Sequence, residues 1–294
     1  MRAGSKLRPD SVTHPPGFGL NLAVGIVGLA FLFPAGYLLW GTVSLGGDFW
    51  ATLSSEQTLR PLFNSLLIAA STAGLCSVVG TVLAFLVTRT DLAGRRVWRV
   101  LAALPLAVPS YVGATALLSA FGPGGLLPVV PRLQGFWGSL LVLTLLSYPF
   151  VYLPVLARLT NTSPSLEEAA RLLGGRPLRN VTRVLLPQLW NTIVAGTMLV
   201  FLYALSDFGA VSLMRFDTIT RAIFSARLFD RATSLTLGLV LAILAIGVVV
   251  AERRAVSRRR PAKDIGGRQV GYSLGRWAVP SGGFVGLIVG GALV

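Results

Sequence analysis

The chain has 294 residues, of which 53% are hydrophobic and only 13% charged, with a mean hydropathy of +0.72. Soluble domains carry about 25% charged residues, so this balance points to a membrane protein. The formal net charge of +15 comes from 26 basic residues against 11 acidic ones, but the arginines lie in short stretches between apolar runs, which excludes a nucleic-acid-binding face.

One cysteine, Cys76, and one histidine, His14, exclude an internal disulfide, a thiolate metal site, a histidine metal cage and a histidine-based triad. No metal ligand set and no catalytic residue is predicted. Cys76 sits inside an apolar run and reads as a small buried hydrophobe.

Residues 1–19 form a basic tail, followed by six apolar runs of about the length a membrane helix needs. The runs are Leu20–Leu45, Leu62–Thr88, Trp98–Ala120, Phe136–Ala157, Leu189–Met214 and Leu235–Ala251. They must be helical, because backbone groups facing lipid have to pair within the segment. The first run, about 26 residues long, exceeds a signal-peptide core and reads as an uncleaved span. Together residues 20–251 are read as one six-helix domain, residues 252–276 as a basic linker, and residues 277–294 as the start of a seventh span.

Loop charge sets the expected orientation. Arg89, Arg95 and Arg96 face one acid, Asp91, after the second run. The 158–187 loop holds Arg158, Arg171, Arg176, Arg179 and Arg183 against Glu167 and Glu168. The alternate loops are poorer in arginine, except Arg215–Thr233, where Arg215, Arg221, Arg227 and Arg231 accompany Asp217 and Asp230. The reading is a multi-pass membrane protein with a cytoplasmic N-terminus. Ile219, Ile223, Phe224 and Leu228 recur at helical spacing and predict an amphipathic segment on the outer surface.

Within the 158–187 loop, Ser165 and Glu168 match a capping box. Leu166, Ala169, Ala170 and Leu173 make a narrow apolar face, and Gly174–Gly175 ends the helix. Pro177 opens a second helix carrying Leu178, Val181 and Leu185 on one face, and Pro187 marks a break before the fifth run. So short a first helix needs a surface to pack against. Two readings stand at this point: a docking element for another protein, or an amphipathic loop held on the headgroups by its arginines.

Glu168-Ala169-Ala170, Gly174 and Val184-Leu185-Leu186-Pro187 resemble the signature of the membrane subunits of binding-protein-dependent ABC importers, with Val184 in place of isoleucine. The stretches LPLAVPSYVGA (Leu104–Ala114), LSYPFVYLPV (Leu146–Val155) and LYALSDFGAVSLMRFDTITRAI (Leu202–Ile223) resemble the ferric-iron permeases of that class, with thiamine permeases as near relatives. The resemblance implies an all-α, polytopic transmembrane helical bundle of the type I importer permease fold. It implies coupling to two cytoplasmic ATPase subunits through Glu167, Glu168, Ala169, Ala170, Gly174, Leu186 and Pro187. ATP and magnesium would reside on that partner, since this chain has no G-x-x-x-x-G-K-[ST] loop and no cofactor of its own is expected. An external or periplasmic binding protein and a second permease half complete the implied set of partners; nucleic acid is not among them. A membrane-embedded enzyme would need clustered intramembrane acids or histidines, and an ion-driven secondary transporter would have no use for a docking helix.

Asp207 is the one acid inside an assigned run. It reads either as an interfacial partner of Arg215 or Arg221, or, with Ser206, as part of an outer vestibule. Pro105 and Pro109 are expected to break the third run, exposing carbonyls near Ser110 and Tyr111. Tyr148, Pro149, Tyr152 and Pro154 suggest a similar break in the fourth. Gly74 and Gly80 are expected to allow close helix packing.

Overall fold

The computed structural model describes residues 18–121, 134–161 and 181–257, and within them the chain is helical, with no β-strand. The 162–180 segment, with Glu167, Glu168, Ala169, Ala170 and Gly174, lies outside the described residues, as do the tail before Phe18 and the run 277–294. The helices are α1 (Phe18–Val43), α2 (Asp48–Leu53), α3 (Glu56–Arg89), α4 (Arg95–Leu101), α5 (Ser110–Phe121), α6 (Gly135–Ser147), α7 (Pro149–Asn161), α8 (Leu186–Ser206), α9 (Gly209–Leu213), α10 (Ile219–Ala226) and α11 (Arg231–Ser257).

Among the described residues, four stretches are long and apolar enough to cross a membrane: α3, the near-continuous α6–α7 unit over Gly135–Asn161, α8, and Arg231–Ala255 of α11. The third run departs from the expected single span. Its two parts, Arg95–Ala107 and Ser110–Phe121, are bent by 99° at Val108–Pro109, and they make a fifth crossing only if counted as one broken span. Proline explains the bend, since Pro109 offers no N–H and its ring disfavours helix in the residue before it. Accordingly Val108 is extended, with ψ 120°. In the fourth run, Tyr148 alone separates α6 from α7, and Pro154 is carried inside α7.

The fifth run also differs at both ends. Val181–Leu185 forms a wider π-type turn that leads directly into α8, so Pro187 sits in the first turn of α8 rather than at a break. A proline there forfeits only an N–H that has no intrahelical partner anyway. At the far end α8 stops at Ser206, and Met214 belongs to the turn after the separate short helix α9.

The core is a three-helix sandwich of α3, α7 and α8. A Cβ on Gly80 of α3 would lie 2.9 Å from the Tyr148 carbonyl, the Tyr152 nitrogen and Val151 Cβ. A Cβ on Gly196 of α8 would lie 2.9 Å from Val151 Cα and 3.0 Å from the Phe150 carbonyl. Val151 is thus held between two glycines, which bring the three backbones together where lipid supplies no hydrophobic drive. Gly74 does not share this role: nothing stands within 4 Å of its Cβ position. Leu83, Ala84, Val87, Val155 and Leu159 fill the rest of the seam with no exposure, and Cys76 is also fully buried. Some hydroxyls in the bundle bond back to their own helix, as Thr88 does to the Ala84 carbonyl at 2.6 Å and Thr197 to that of Ile193 at 2.7 Å.

The first helix packs on the last. Gly41 faces Leu235 and Gly238 faces Leu38, again with small residues at the contact. Leu32, Phe33 and Trp40 of α1 are exposed, as expected for a lipid-facing surface.

Candidate functional site at one end of the bundle

At the end of α8 opposite the 162–180 segment, regular helix gives way to short pieces. Asp207 follows the last residue of α8, and its Oδ1 accepts from the backbone N–H of Ala210 at 2.9 Å and of Val211 at 3.4 Å. The carboxylate thus caps the first turn of α9 from one residue before its N-cap position, Phe208, and Asp207 is 8% exposed. The Ser110 hydroxyl, at the start of α5, lies close to this carboxylate and to Tyr203. The Asp207 carbonyl in turn accepts from Thr220 Oγ1 at 2.7 Å.

Glycine makes the approach of α5 possible. A Cβ on Gly209 would lie 3.0 Å from Ser110 Oγ and 3.0 Å from Tyr111 Cβ. The Pro109 bend therefore delivers Ser110 and Tyr111 onto the turn that Asp207 caps. Tyr111 is 57% exposed, and Ser206 is exposed with its hydroxyl bonded back to the Leu202 and Tyr203 carbonyls.

Of the residues singled out from sequence, Pro109, Ser110, Tyr111, Ser206 and Asp207 gather at this end. Pro105 is buried, in a tight turn that packs on α6 and α7. Neither arginine expected beside Asp207 pairs with it. Arg221 forms its ion pair with Asp217 at 2.9 Å, and Arg215 caps the end of α9 with φ 57°. Phe216 N–H reaches back to the Val211 carbonyl at 2.9 Å, so Arg215 occupies the left-handed position usually given to glycine. Tyr203 and Gly209 were not singled out from sequence. The Asp207-x-x-Ala210 spacing was a readable cap signal, whereas the contacts of Tyr203 and Gly209 depend on α5 arriving from elsewhere.

Asn64 Nδ2 donates to the Asp217 carbonyl at 2.8 Å, and Ile219 N–H donates to Ser65 Oγ at 2.8 Å, fixing α10 against α3. The helix α10 carries Ile219, Ile223 and Phe224 at the predicted spacing, but of these only Ile219 is buried; Phe224 and Leu228, the latter beyond the end of α10, are exposed. A cleft of about 520 Å³ beside it is lined by Glu56, Arg60, Asp217, Phe229, Asp230 and Thr233 among others. Among the described residues no group of three His, Cys, Asp or Glu is placed to hold a metal ion. At the opposite end of α8, Leu186 and Pro187 are exposed next to the buried Leu185.

Residues 76–260 match the model of the family described as the binding-protein-dependent transport system inner membrane component. The chain belongs to that family. It is 32% identical over 244 residues to the Fe(3+)-transport system permease protein FbpB 2 of Haemophilus influenzae, covering 81% of this chain and 46% of that protein. It is also 32% identical over 203 residues to a probable molybdenum ABC transporter permease protein of Haloferax volcanii, covering 67% of this chain and 74% of that one. The chain thus spans about half the length of the iron permease. A crystal structure of a bacterial ABC transporter involved in the import of the acidic polysaccharide alginate shares the fold, with a TM-score of 0.65 at 18% identity over 82% of this chain and 96% of that one. The helical bundle is therefore that of the ABC importer permeases. The expectation of a transport subunit rather than an enzyme agrees with relatives named as permease proteins.

Proposed function

We propose that the chain is the membrane-spanning subunit of an ATP-driven importer and passes ferric iron received from an external binding protein. The observation that carries this reading is the family match over residues 76–260, which spans the Glu168-Ala169-Ala170…Gly174 signature and its flanking helices α7 and α8. The stretch Leu166–Leu173 serves as the element that a cytoplasmic ATPase subunit grips. Two such subunits, closing on ATP, pull on this loop and its counterpart in a second permease half. Because α7 and α8 are locked to α3 through Val151, a pull on the loop moves the three helices together. At the other end, the capped and bent pieces around Asp207 have non-helical backbone that can line a water-filled passage. Arginine placement supports a cytoplasmic side for the loop, and the importer reading implies an inner-membrane location.

The substrate reading rests on the resemblance of Leu104–Ala114, Leu146–Val155 and Leu202–Ile223 to ferric-iron permeases and on a relative that covers most of the chain. A molybdenum oxyanion is the second reading, favoured by equal identity to the Haloferax protein. Transport in proteoliposomes with the cognate ATPase and binding protein tests both. ATP-dependent uptake of radiolabelled ferric iron, abolished by Glu168→Lys or Gly174→Asp with membrane insertion intact, is the expected result. Uptake of molybdate alone would replace the substrate, and uptake driven by an ion gradient without ATP would overturn the function.

A further inference from the structure

Arg89, the last residue of α3, is fully buried, a rare condition for arginine. Its Nη2 donates to the Leu159 carbonyl at 3.2 Å, across 70 positions of sequence. Leu159 lies in α7, two residues before the described part of that helix stops at Asn161. Val87, Leu92, Leu159 and Leu185 pack in one cluster around this contact. Leu159 stands where the chain leaves the membrane bundle, and Leu185 where it returns into α8. Leu159 and Leu185, on either side of the 162–180 segment, thus belong to the same buried cluster as Val87 of α3. Arg99 lies close by, yet its Nη2 serves the Val87 carbonyl of α3 at 3.4 Å rather than α7.

We propose that Arg89 is a positioning residue that ties the exit of α7 to α3, so that movement of the ATPase-gripped segment is delivered to α3 instead of being absorbed where α7 ends. A charged hydrogen bond shielded from water is stronger and more direction-dependent than an apolar contact, which suits it to such a joint. This inference rests on the proposed function.

The test uses proteoliposomes holding the full chain, its ATPase and its iron-loaded binding protein, with iron uptake and ATP hydrolysis measured together. In Arg89→Gln, iron imported per ATP should fall about tenfold, as expected for loss of one charged hydrogen bond, while ATPase binding is retained and hydrolysis stays within about twofold of wild type. Arg89→Lys, which keeps a cation beside α7, should recover most of the ratio, and Arg99→Gln should leave it unchanged. An unaltered ratio in assembled Arg89→Gln overturns the proposal, as does an equal fall in Arg99→Gln. Failure of both Arg89 variants to assemble also overturns it, since the residue then serves packing alone. A wild-type complex without ATP-dependent uptake defeats the proposed function itself, before any variant is compared.

Discussion

The two ends of the bundle are built on different principles. Where α3, α7 and α8 converge, long helices meet through Gly80, Val151 and Gly196, and the seam is filled by fully buried aliphatic side chains. Around Asp207 the chain runs through α9, α10 and the start of α5 after its bend, held by a cap, a left-handed arginine and side-chain bonds to backbone. Close packing makes the first region a stiff body. The second has many local joints, each worth about 1 kcal/mol, and is the part of the molecule able to change shape. An importer needs both: a rigid lever next to its motor and an adaptable mouth facing its substrate.

The contrast can be broken most forcefully at the glycines. Gly80→Val and Gly196→Val should each cost about 3 kcal/mol, the upper end of overpacking effects, because backbone atoms stand 2.9 Å from the new Cβ. Thermal unfolding in detergent should show both as strongly destabilised, while Gly74→Val, with nothing within 4 Å, should match wild type. Equal tolerance at all three positions would remove the stiff-body account.

At the other end the effects should be smaller and separable. Asp207→Ala leaves the Ala210 and Val211 N–H groups without their acceptor and should cost about 2 kcal/mol. Asp207→Asn keeps a carbonyl oxygen for the cap, so its protein level should hold while uptake slows. Normal uptake by Asp207→Asn would confine the residue to capping α9.

Asp230 caps α11, accepting from Thr233 N–H at 3.0 Å and Thr233 Oγ1 at 2.6 Å. Asp230→Ala should cost about 1 kcal/mol in the same unfolding assay. The Thr233 hydrogen bonds hold the Asp230 carboxyl below its usual range. Its contribution is therefore present above the ordinary aspartate value of about 3.9 and is lost as pH falls through the lower folded value. The gap between wild type and Asp230→Ala should close in acid. A gap that persists there would show that the cap does not depend on charge.

Arg215 offers the gentlest test. Glycine suits φ 57° without a Cβ clash, so Arg215→Gly should stabilise the protein by about 1 kcal/mol. A loss of stability would reveal an interaction of the guanidinium that outweighs the backbone cost.

What the sequence made legible follows the same division. Apolar runs marked α3, α6–α7, α8 and α11 because each must satisfy its own backbone, and Pro109 announced the bend by local sterics. Asp207 was visible as an acid in an apolar run, but its partners were not, since Ser110 reaches it only after that bend brings α5 across. Gly74 and Gly80 look alike in the chain, and only the arrival of α7 beside Gly80 separates them. Pro187 misled because a proline reads equally as a helix stop and as a first-turn residue. The buried Arg89 was counted as loop charge, for its partner carbonyl lies 70 residues away.

The measurement that bears most directly on the central claim is cysteine crosslinking from Ala169 or Ala170 in the assembled complex. The single native thiol, Cys76, is fully buried, so an introduced cysteine reports on its own surroundings. The account predicts capture of a nucleotide-hydrolysing subunit, with a yield that changes when ATP is bound. Crosslinking only to lipid or to the chain itself, in a complex that transports, would contradict it.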